Sequence, residues 1–353
     1  MSASVSTSGT VRQTPPKPDP VETIMQLSLG YMASMCLQVA AKLGIADLLA
    51  AGPKPVKELA RSTGSHEDRL YRVLRVLASV GVFTETGPRT FALTPPAETL
   101  RSDAPNSALP MVTWMTDAFH FKTFAGMLHS VKTGEITFNH VYGKPIFEYF
   151  AEDPEESAVF NAAMTCMSEA VTPAVLEAYD FAGIHTLMDV AGGHGALLRA
   201  ILKKHPEMRG ILIDLDHVIE GAKKVPENQA MAHRCEFLTG DFFAEVPAKA
   251  DAILMKHIIH DWEDDKAVVI LKNCRKALAG KPNAKLLLVE TVLPPGNEPH
   301  FGKFIDLEMF VYPGGRERTE EEFRKLFAAA GWRLSRVIPT KAPLWLVEGE
   351  ISH

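Results

Sequence analysis

The chain has little cysteine: four residues in 353, namely Cys36, Cys166, Cys235 and Cys274, none of them in a CxxC pair. No Cys/His spacing matches a zinc site, and a disulfide-framed small domain is excluded. Scattered single cysteines suit a reducing compartment, so a cytoplasmic location is expected. An excess of positive charge is missing too. Lys and Arg number 37 against 43 Asp and Glu, a formal net charge of -6, which argues against a nucleic-acid or membrane-surface role. No uninterrupted apolar run approaches the ~18 residues of a bilayer span, so no membrane span is expected. What is present is an ordinary globular mix, 46% hydrophobic and 23% charged. The length suggests about two domains. The first 20 residues are rich in Ser, Thr and Pro, lack an apolar core, and read as a disordered tail rather than a signal peptide.

Residues 21–104 read as helices followed by a hairpin. Tyr31 to Leu49 carries apolar residues at helical spacing, and Met32, Met35, Leu37 and Val39 give it more apolar surface than one small domain covers. Val56 to Ala60 and His66 to Val80 follow, separated by the turn cluster Ser62-Thr63-Gly64-Ser65. Val82 to Thr86 and Thr90 to Thr94 form a small hairpin around Gly87-Pro88, completing a winged-helix-like unit. Residues 105–180 read as further helix, rich in Met and aromatics: Trp114, Met115, Phe119, Phe160, Met164 and Met167 among them. Two readings stand side by side, a plain helical core and an adaptable wall of a pocket for a flat aromatic ligand. From residue 181 to 353 short apolar runs alternate with helical stretches. Such alternation predicts a parallel, doubly wound sheet, with strands at Thr186–Ala191, Gly210–Leu215, Cys235–Leu238, Ala252–Met255, Lys285–Val289, Arg333–Ile338 and Trp345–Val347.

The first of these strands runs into Asp189-Val190-Ala191-Gly192-Gly193-His194-Gly195 and then a helix. A Gly-rich strand-to-helix turn lets a ligand approach the backbone beside a positive helix terminus. The dinucleotide fingerprint is incomplete, because Leu198 stands where its third glycine belongs. Asp189, just before the loop, repels a pyrophosphate and favours a ligand bearing ammonium and sulfonium charges, S-adenosylmethionine rather than NAD. Asp214-Leu215 at the end of the second strand suits ribose hydroxyls. Gly240-Asp241-Phe242 suits an adenine, with Asp241 accepting from its amino group and Phe242 covering the ring. Taken singly, Asp241 is more often a turn residue and Asp216 a solvated loop acid.

With these motifs in view, and with Lys256 to Trp262, Glu290 and Gly314 to Thr319, the chain resembles the small-molecule O-methyltransferase family of plants and bacteria. That family includes caffeic acid and hydroxyindole O-methyltransferases and the methyltransferases of polyketide and phenazine pathways. The resemblance covers nearly everything after residue 20. It implies an α/β fold, with a Rossmann-like class I methyltransferase domain behind an N-terminal, mostly helical winged-helix dimerisation domain. It also implies a homodimer through that domain and a metal-free transfer of methyl from S-adenosylmethionine, leaving S-adenosylhomocysteine. By motif position Gly192, Gly193, Gly195, Gly240 and Lys256 join the cofactor site, His260 is the general base, and Glu290 and Glu317 flank its ring. Two departures stand out: Ala191 where the family has glycine, and Asp216 where it has proline. Some relatives instead carry out C-methylation or oxidative chemistry, so the fold alone does not fix the reaction.

The segment Lys256 to Asp265 admits rivals. His257 and His260 lie three apart with acids behind them, the outline of a metal site, yet further ligands at helical spacing are not evident. A helix N-terminus with Asp261 as its cap accounts for the acids from Glu263 to Asp265. Asp261 and Met309 are expected near the substrate, a small, flat, hydroxylated aromatic molecule. A winged-helix DNA-binding regulator is the reading from another class, since Arg69, Arg72 and Arg75 fall three apart. Between Pro53 and Leu100, however, seven Lys/Arg face five Asp/Glu, an excess of two that is too small for strong phosphate binding.

Overall fold

The computed structural model describes residues 19–352 other than Asn106 and Pro282; most of the expected N-terminal tail lies outside the described residues. The chain divides into two compact units between Ser102 and Asp103.

In the first unit, helix Val56–Thr63 ends at Gly64, whose positive φ of 65° closes the last turn. Helix Glu67–Ser79 buries Leu70, Leu74 and Leu77, one stripe at helical spacing. Beside them β1 (Lys54–Pro55), β2 (Phe83–Gly87) and β3 (Thr90–Leu93) form an antiparallel sheet in the order β1-β3-β2. This is the expected helices-plus-hairpin unit. Of the three spaced arginines, Arg72 pairs with Asp68 at 3.1 Å and Arg75 lies over the Tyr71 ring, so the basic face is partly neutralised. The first helix, Pro20–Lys42, starts earlier than the apolar spacing suggested, at an N-cap where Asp19 accepts from Val21 and Glu22. Val21, Ile24, Met25, Leu27, Leu29, Tyr31, Met32 and Val39 are all exposed on it.

In the second unit β4 (Thr186–Val190), β5 (Arg209–Asp214), β6 (Cys235–Thr239), β7 (Ala252–Lys256) and β8 (Lys285–Glu290) are followed by the two-residue strands β9 (Val292–Leu293) and β10 (Arg318–Thr319), then β11 (Trp332–Ile338) and β12 (Trp345–Ile351). The main sheet has the order β11-β12-β8-β7-β4-β5-β6. Side chains alternate to two faces: Met188, Ile253 and Leu288 pack into one apolar layer, while Leu187, Leu254 and Leu287 pack into the other. The expected all-parallel sheet is corrected at one edge. The strands from β6 to β8 are parallel, but β12 runs antiparallel to both β8 and β11. The segment between β11 and β12 is too short for a crossover helix, so the chain can only turn back.

Helices Pro20–Lys42 and Pro154–Ala178 are long and apolar enough, by length and composition, to cross a bilayer. Polar residues interrupt both, so neither forms an uninterrupted apolar run. The second buries Ala163, Val171 and Val175 in two apolar clusters of its unit.

Candidate active site

The C-terminal ends of five adjacent strands carry a row of polar side chains: Glu290 on β8, Lys256 on β7, Asp189 on β4, Asp214 on β5 and, just past β6, Asp241. Ligands of open α/β sheets bind at this edge. The glycine loop is built tightly onto it. A Cβ on Gly192 would lie 2.5 Å from the Asp189 carboxyl and 2.6 Å from Leu212, and one on Gly240 would lie 2.5 Å from Ile213. Gly195, with φ of 73°, starts helix Ala196–Lys204. Ala191 takes a φ of 55°, the left-handed region that favours glycine, which gives the family's glycine there a physical reason. Asp216 occupies the first turn of helix Asp216–Lys224, where proline is also favoured and where a carboxylate meets the positive helix end.

Asp189 is buried, and its Oδ1 has no hydrogen-bond partner among the described residues. Burial pushes its carboxyl up to about 7, with the Lys256 charge opposing and Asp214 adding. Lys256 donates to Ser168 Oγ at 2.8 Å; burial holds its ammonium below the ordinary lysine range, while Asp189 and Glu290 pull the other way. Asp214 accepts from Gly193 N at 2.8 Å and Leu215 N at 2.7 Å, one on each oxygen. It thus stitches the glycine loop to β5 and retains lone pairs for a ligand. Asp241 accepts from Phe243 N at 2.8 Å, a turn role, and its side chain is exposed. Phe242 and Phe243 pack around Trp262, with Phe243 and Trp262 edge to face at 4.8 Å.

His260 lies buried in the short 3-10 turn Ile259–Asp261. Its Nδ1 is 2.8 Å from Glu317 Oε1 and 3.9 Å from Glu290 Oε2, and its Nε2 is 3.6 Å from Asp261 Oδ1. Glu290 Oε1 accepts from the amides of Ile258 at 3.1 Å and Ile259 at 2.9 Å, so the same carboxylate that flanks the ring also holds its turn. Burial disfavours a charged ring, but Glu290, Glu317 and Asp261 outweigh it and raise His260 to about 10. Burial likewise raises Glu290 to about 7 and Asp261 to about 6, each opposed by the His260 charge. His257 is half-buried and takes a φ of 55°. Burial and the neighbouring charges of His260 and Lys256 hold it well below the usual imidazole value. Asp261 is not a helix cap, the rival reading of this segment. Helix Asp264–Ala277 starts two residues later, with Glu263 at its N-cap position, which leaves Asp261 beside the His260 ring.

The two carboxylates reach one ring because β9 pairs with β10 in register Arg318 to Val292. That pairing sets the residue before β10, Glu317, next to the end of β8. Asp306 accepts from Glu317 N at 2.8 Å, and His260 O accepts from Arg316 N at 2.8 Å. Gly315 is required by close approach, since a Cβ there would lie 2.0 Å from the His260 carbonyl oxygen. Sequence reasoning quoted Arg318 without a role. It is fully buried and donates to the carbonyls of Ile259 at 3.1 Å and Trp262 at 2.8 Å and to Asp264 at 2.7 Å and 2.9 Å, clamping the His260 turn. An arginine in a Gly-rich, mixed-charge stretch gives no sequence sign of burial. Ser168, the Lys256 partner, is a single hydroxyl on helix Pro154–Ala178 and belongs to no motif that would single it out.

The expected substrate residues divide. Trp114 and Phe119 are buried inside a cluster of rings with Phe138, Phe150 and Tyr312, the core role. Met115, Phe160 and Met164 lie partly buried at its edge. Met167 precedes the Lys256 partner Ser168 on helix Pro154–Ala178. Met309 lies half-buried, and its carbonyl accepts from Gly314 and Gly315, so its backbone helps to build the Glu317 turn. Within the same cluster His120 pairs with Glu308 at 3.0 Å, a buried polar contact that the sequence did not reveal.

His260, Glu290 and Glu317 place one ligand atom each within 4.8 Å of the others, so they also form a donor set able to hold a cation. The expected absence of metal therefore rests on chemistry rather than on the donor types.

Residues 123–333 match the profile of the O-methyltransferase domain, and residues 25–103 match that of the O-methyltransferase dimerisation domain. A phenazine O-methyltransferase of Lysobacter antibioticus is 46% identical over 325 residues, 92% of this chain and 94% of that protein. A mitomycin biosynthesis 6-O-methyltransferase of Streptomyces lavendulae is 37% identical over 96% of this chain and 99% of its own. The crystal structure of an O-methyltransferase from neocarzinostatin biosynthesis, in complex with S-adenosylmethionine and 2-hydroxy-5-methyl naphthoic acid, superposes with a TM-score of 0.77. It is 31% identical and covers 90% of this chain and 95% of that one.

Proposed function

The chain belongs to the O-methyltransferase family, and on that premise we propose that it methylates a hydroxyl of a small aromatic secondary metabolite, using S-adenosylmethionine, with His260 as general base and no metal. The observation that carries the reading is His260 itself: a buried ring held at Nδ1 by Glu317, backed by Glu290, on the strand edge that also carries Lys256 and Asp189.

The residues present fit S-adenosylmethionine. Asp189 offers a buried carboxylate oxygen without a partner among the described residues, suited to an ammonium. Asp214 and Asp241 would take the ribose and adenine donors, and the cradle at Gly192 and Gly240 leaves no room for a side chain. Bound there, the cofactor supplies a sulfonium methyl that is already electrophilic. The protein's remaining tasks are to align a substrate oxygen and remove its proton.

With Nδ1 bonded to Glu317, Nε2 is the nitrogen left to face a hydroxyl. A phenol has a pKa near 10, and the carboxylates raise His260 to about 10 as well. The raised ring is a stronger acceptor for that proton than a free imidazole. Glu290 and Glu317 stabilise the resulting imidazolium beside the phenolate, as an acid does for histidine in other sites. Each turnover releases one proton, which leaves the ring for solvent before the next; Asp261, 20% exposed, stands on that side. Because the methyl needs no Lewis acid and Glu290 Oε1 is already engaged by two amides, no metal is invoked. Phe160, Met164 and Met167 would line the aromatic substrate's pocket, and the exposed apolar helix Pro20–Lys42 would be covered in a homodimer.

The test is methyl transfer from labelled S-adenosylmethionine to a panel of hydroxylated aromatics, read by product mass, with His260→Gln alongside wild type. The variant should lose at least about 100-fold in turnover while its cofactor affinity stays unchanged. Full turnover in the variant overturns the assignment of the base. Oxygen consumption or C-methylation by wild type overturns the assignment of the reaction.

A further inference from the structure

We propose that His129, Glu135 and His140 form a binding site for one divalent cation of the zinc class, separate from the His260 cluster. The imidazole rings of His129 and His140 lie face to face, with centroids 3.6 Å apart and planes 7° apart. His129 Nε2 is 2.7 Å from Glu135 Oε2. One ligand atom from each of the three side chains falls within 4.8 Å of the others.

The backbone that carries them is fixed. Helix Met127–Thr133 ends at Gly134, whose φ of 79° turns the chain directly toward helix Thr137–Tyr142. Gly134 N donates to Ser130 O at 2.8 Å, and Glu135 N donates to Thr133 Oγ1 at 3.1 Å. Beneath the turn the buried hydroxyls of Ser130 and Thr137 bond at 2.6 Å. These contacts hold the three Cα positions in place, so convergence of the ligands does not depend on a mobile loop.

Two imidazole nitrogens and one carboxylate oxygen suit zinc, nickel or copper rather than magnesium or calcium, which prefer all-oxygen sets. Three protein ligands leave at least one position for water. The stacked rings do not yet aim at a common point, because ring lone pairs lie in the ring planes. Binding must turn the rings apart and swing Glu135 from His129 to the ion. Room exists for both movements: His129 and Glu135 side chains are 31% and 68% exposed, and His140 is exposed. The ion would also brace the active site from outside. Ile136, next to Glu135, packs so closely under Gly314 that a Cβ there would lie 2.5 Å from it. Gly315 in turn rests on the His260 carbonyl.

The experiment is calorimetric titration of the metal-free, full-length protein with zinc and, separately, with magnesium. Wild type, His129→Ala, His140→Ala, the double variant and His260→Gln are compared, with near-UV circular dichroism as the check that each is folded. The expected result is one zinc per chain at this site, at least about 10-fold weaker in either single variant. It should be absent in the double variant and retained in His260→Gln, and magnesium should give no binding. Zinc binding equal in wild type and the folded double variant, or no zinc binding by wild type, overturns the proposal.

Discussion

Replacing Glu317 by glutamine should lower the proton affinity of His260 by ~2–3 pH units. The perturbation is small in shape, since the glutamine carbonyl can still accept from Nδ1 across the 2.8 Å contact. What disappears is one of the two nearest negative charges. With charge centres roughly 4 Å apart and an effective dielectric constant of about 20, that charge is worth about 4 kcal/mol, or ~3 pH units. The wild-type ring, raised to about 10, should then titrate near neutrality in the variant. Nitrogen-15 NMR of the imidazole in the free enzyme reads this directly. The acid limb of kcat/KM should move down by the same interval, because the ring must be neutral to take the substrate proton. The plateau should fall, since a less basic ring is a weaker acceptor. Stability carries the same sign. The charged ring supports the fold fully below its unfolded value of ~6.5, and that support is lost as pH rises through about 10. Glu317→Gln should therefore show a smaller loss of stability across that window. A midpoint unchanged in the variant refutes the part given to the Glu317 charge, and a wild-type ring already neutral near pH 7 refutes the raised value, because it places the cluster's proton on a carboxylate instead.

Three other outcomes are expected. Affinity for S-adenosylhomocysteine or S-adenosylmethionine should weaken on acidification below the Asp189 value of about 7, by up to ~10-fold per pH unit, and Asp189→Asn should flatten that dependence; calorimetry across pH is the check. Arg318→Leu strands the buried carbonyls of Ile259 and Trp262 and should cost about 2–4 kcal/mol in urea unfolding, with a parallel fall in kcat as the His260 turn loosens. Wild type that is both as stable and as active as this variant would show that the clamp is dispensable. Light scattering on the full-length protein should give a dimer, and Leu27→Asp with Met32→Asp should give a monomer; a wild-type monomer at micromolar concentration removes the role assigned to helix Pro20–Lys42.

The sequence by itself determined the elements and the order in which they occur. Each strand of the main sheet was legible because a buried strand between helices must be a short apolar run, and the glycines and acids at the strand ends were legible because few residue types serve a close backbone approach or a polar ligand. His260 and both glutamates could be named from motif positions. What only the tertiary structure decided was how they meet. Glu290 and Glu317 lie 27 positions apart in the chain, and only the pairing of β9 with β10 brings both to one ring. Burial of Arg318, the orphaned oxygen of Asp189 and the raised proton affinity of His260 are likewise properties of enclosure, which no local pattern encodes. The same holds for Asp261, whose role passed from helix cap to neighbour of the ring when a 3-10 turn preceded the helix. It holds for Trp114 and Phe119, which apolar periodicity could not assign between core and pocket. Sequence patterns report which face of an element is apolar; the distances between side chains from different elements, and the electrostatic consequences of excluding water from them, exist only once the elements have packed.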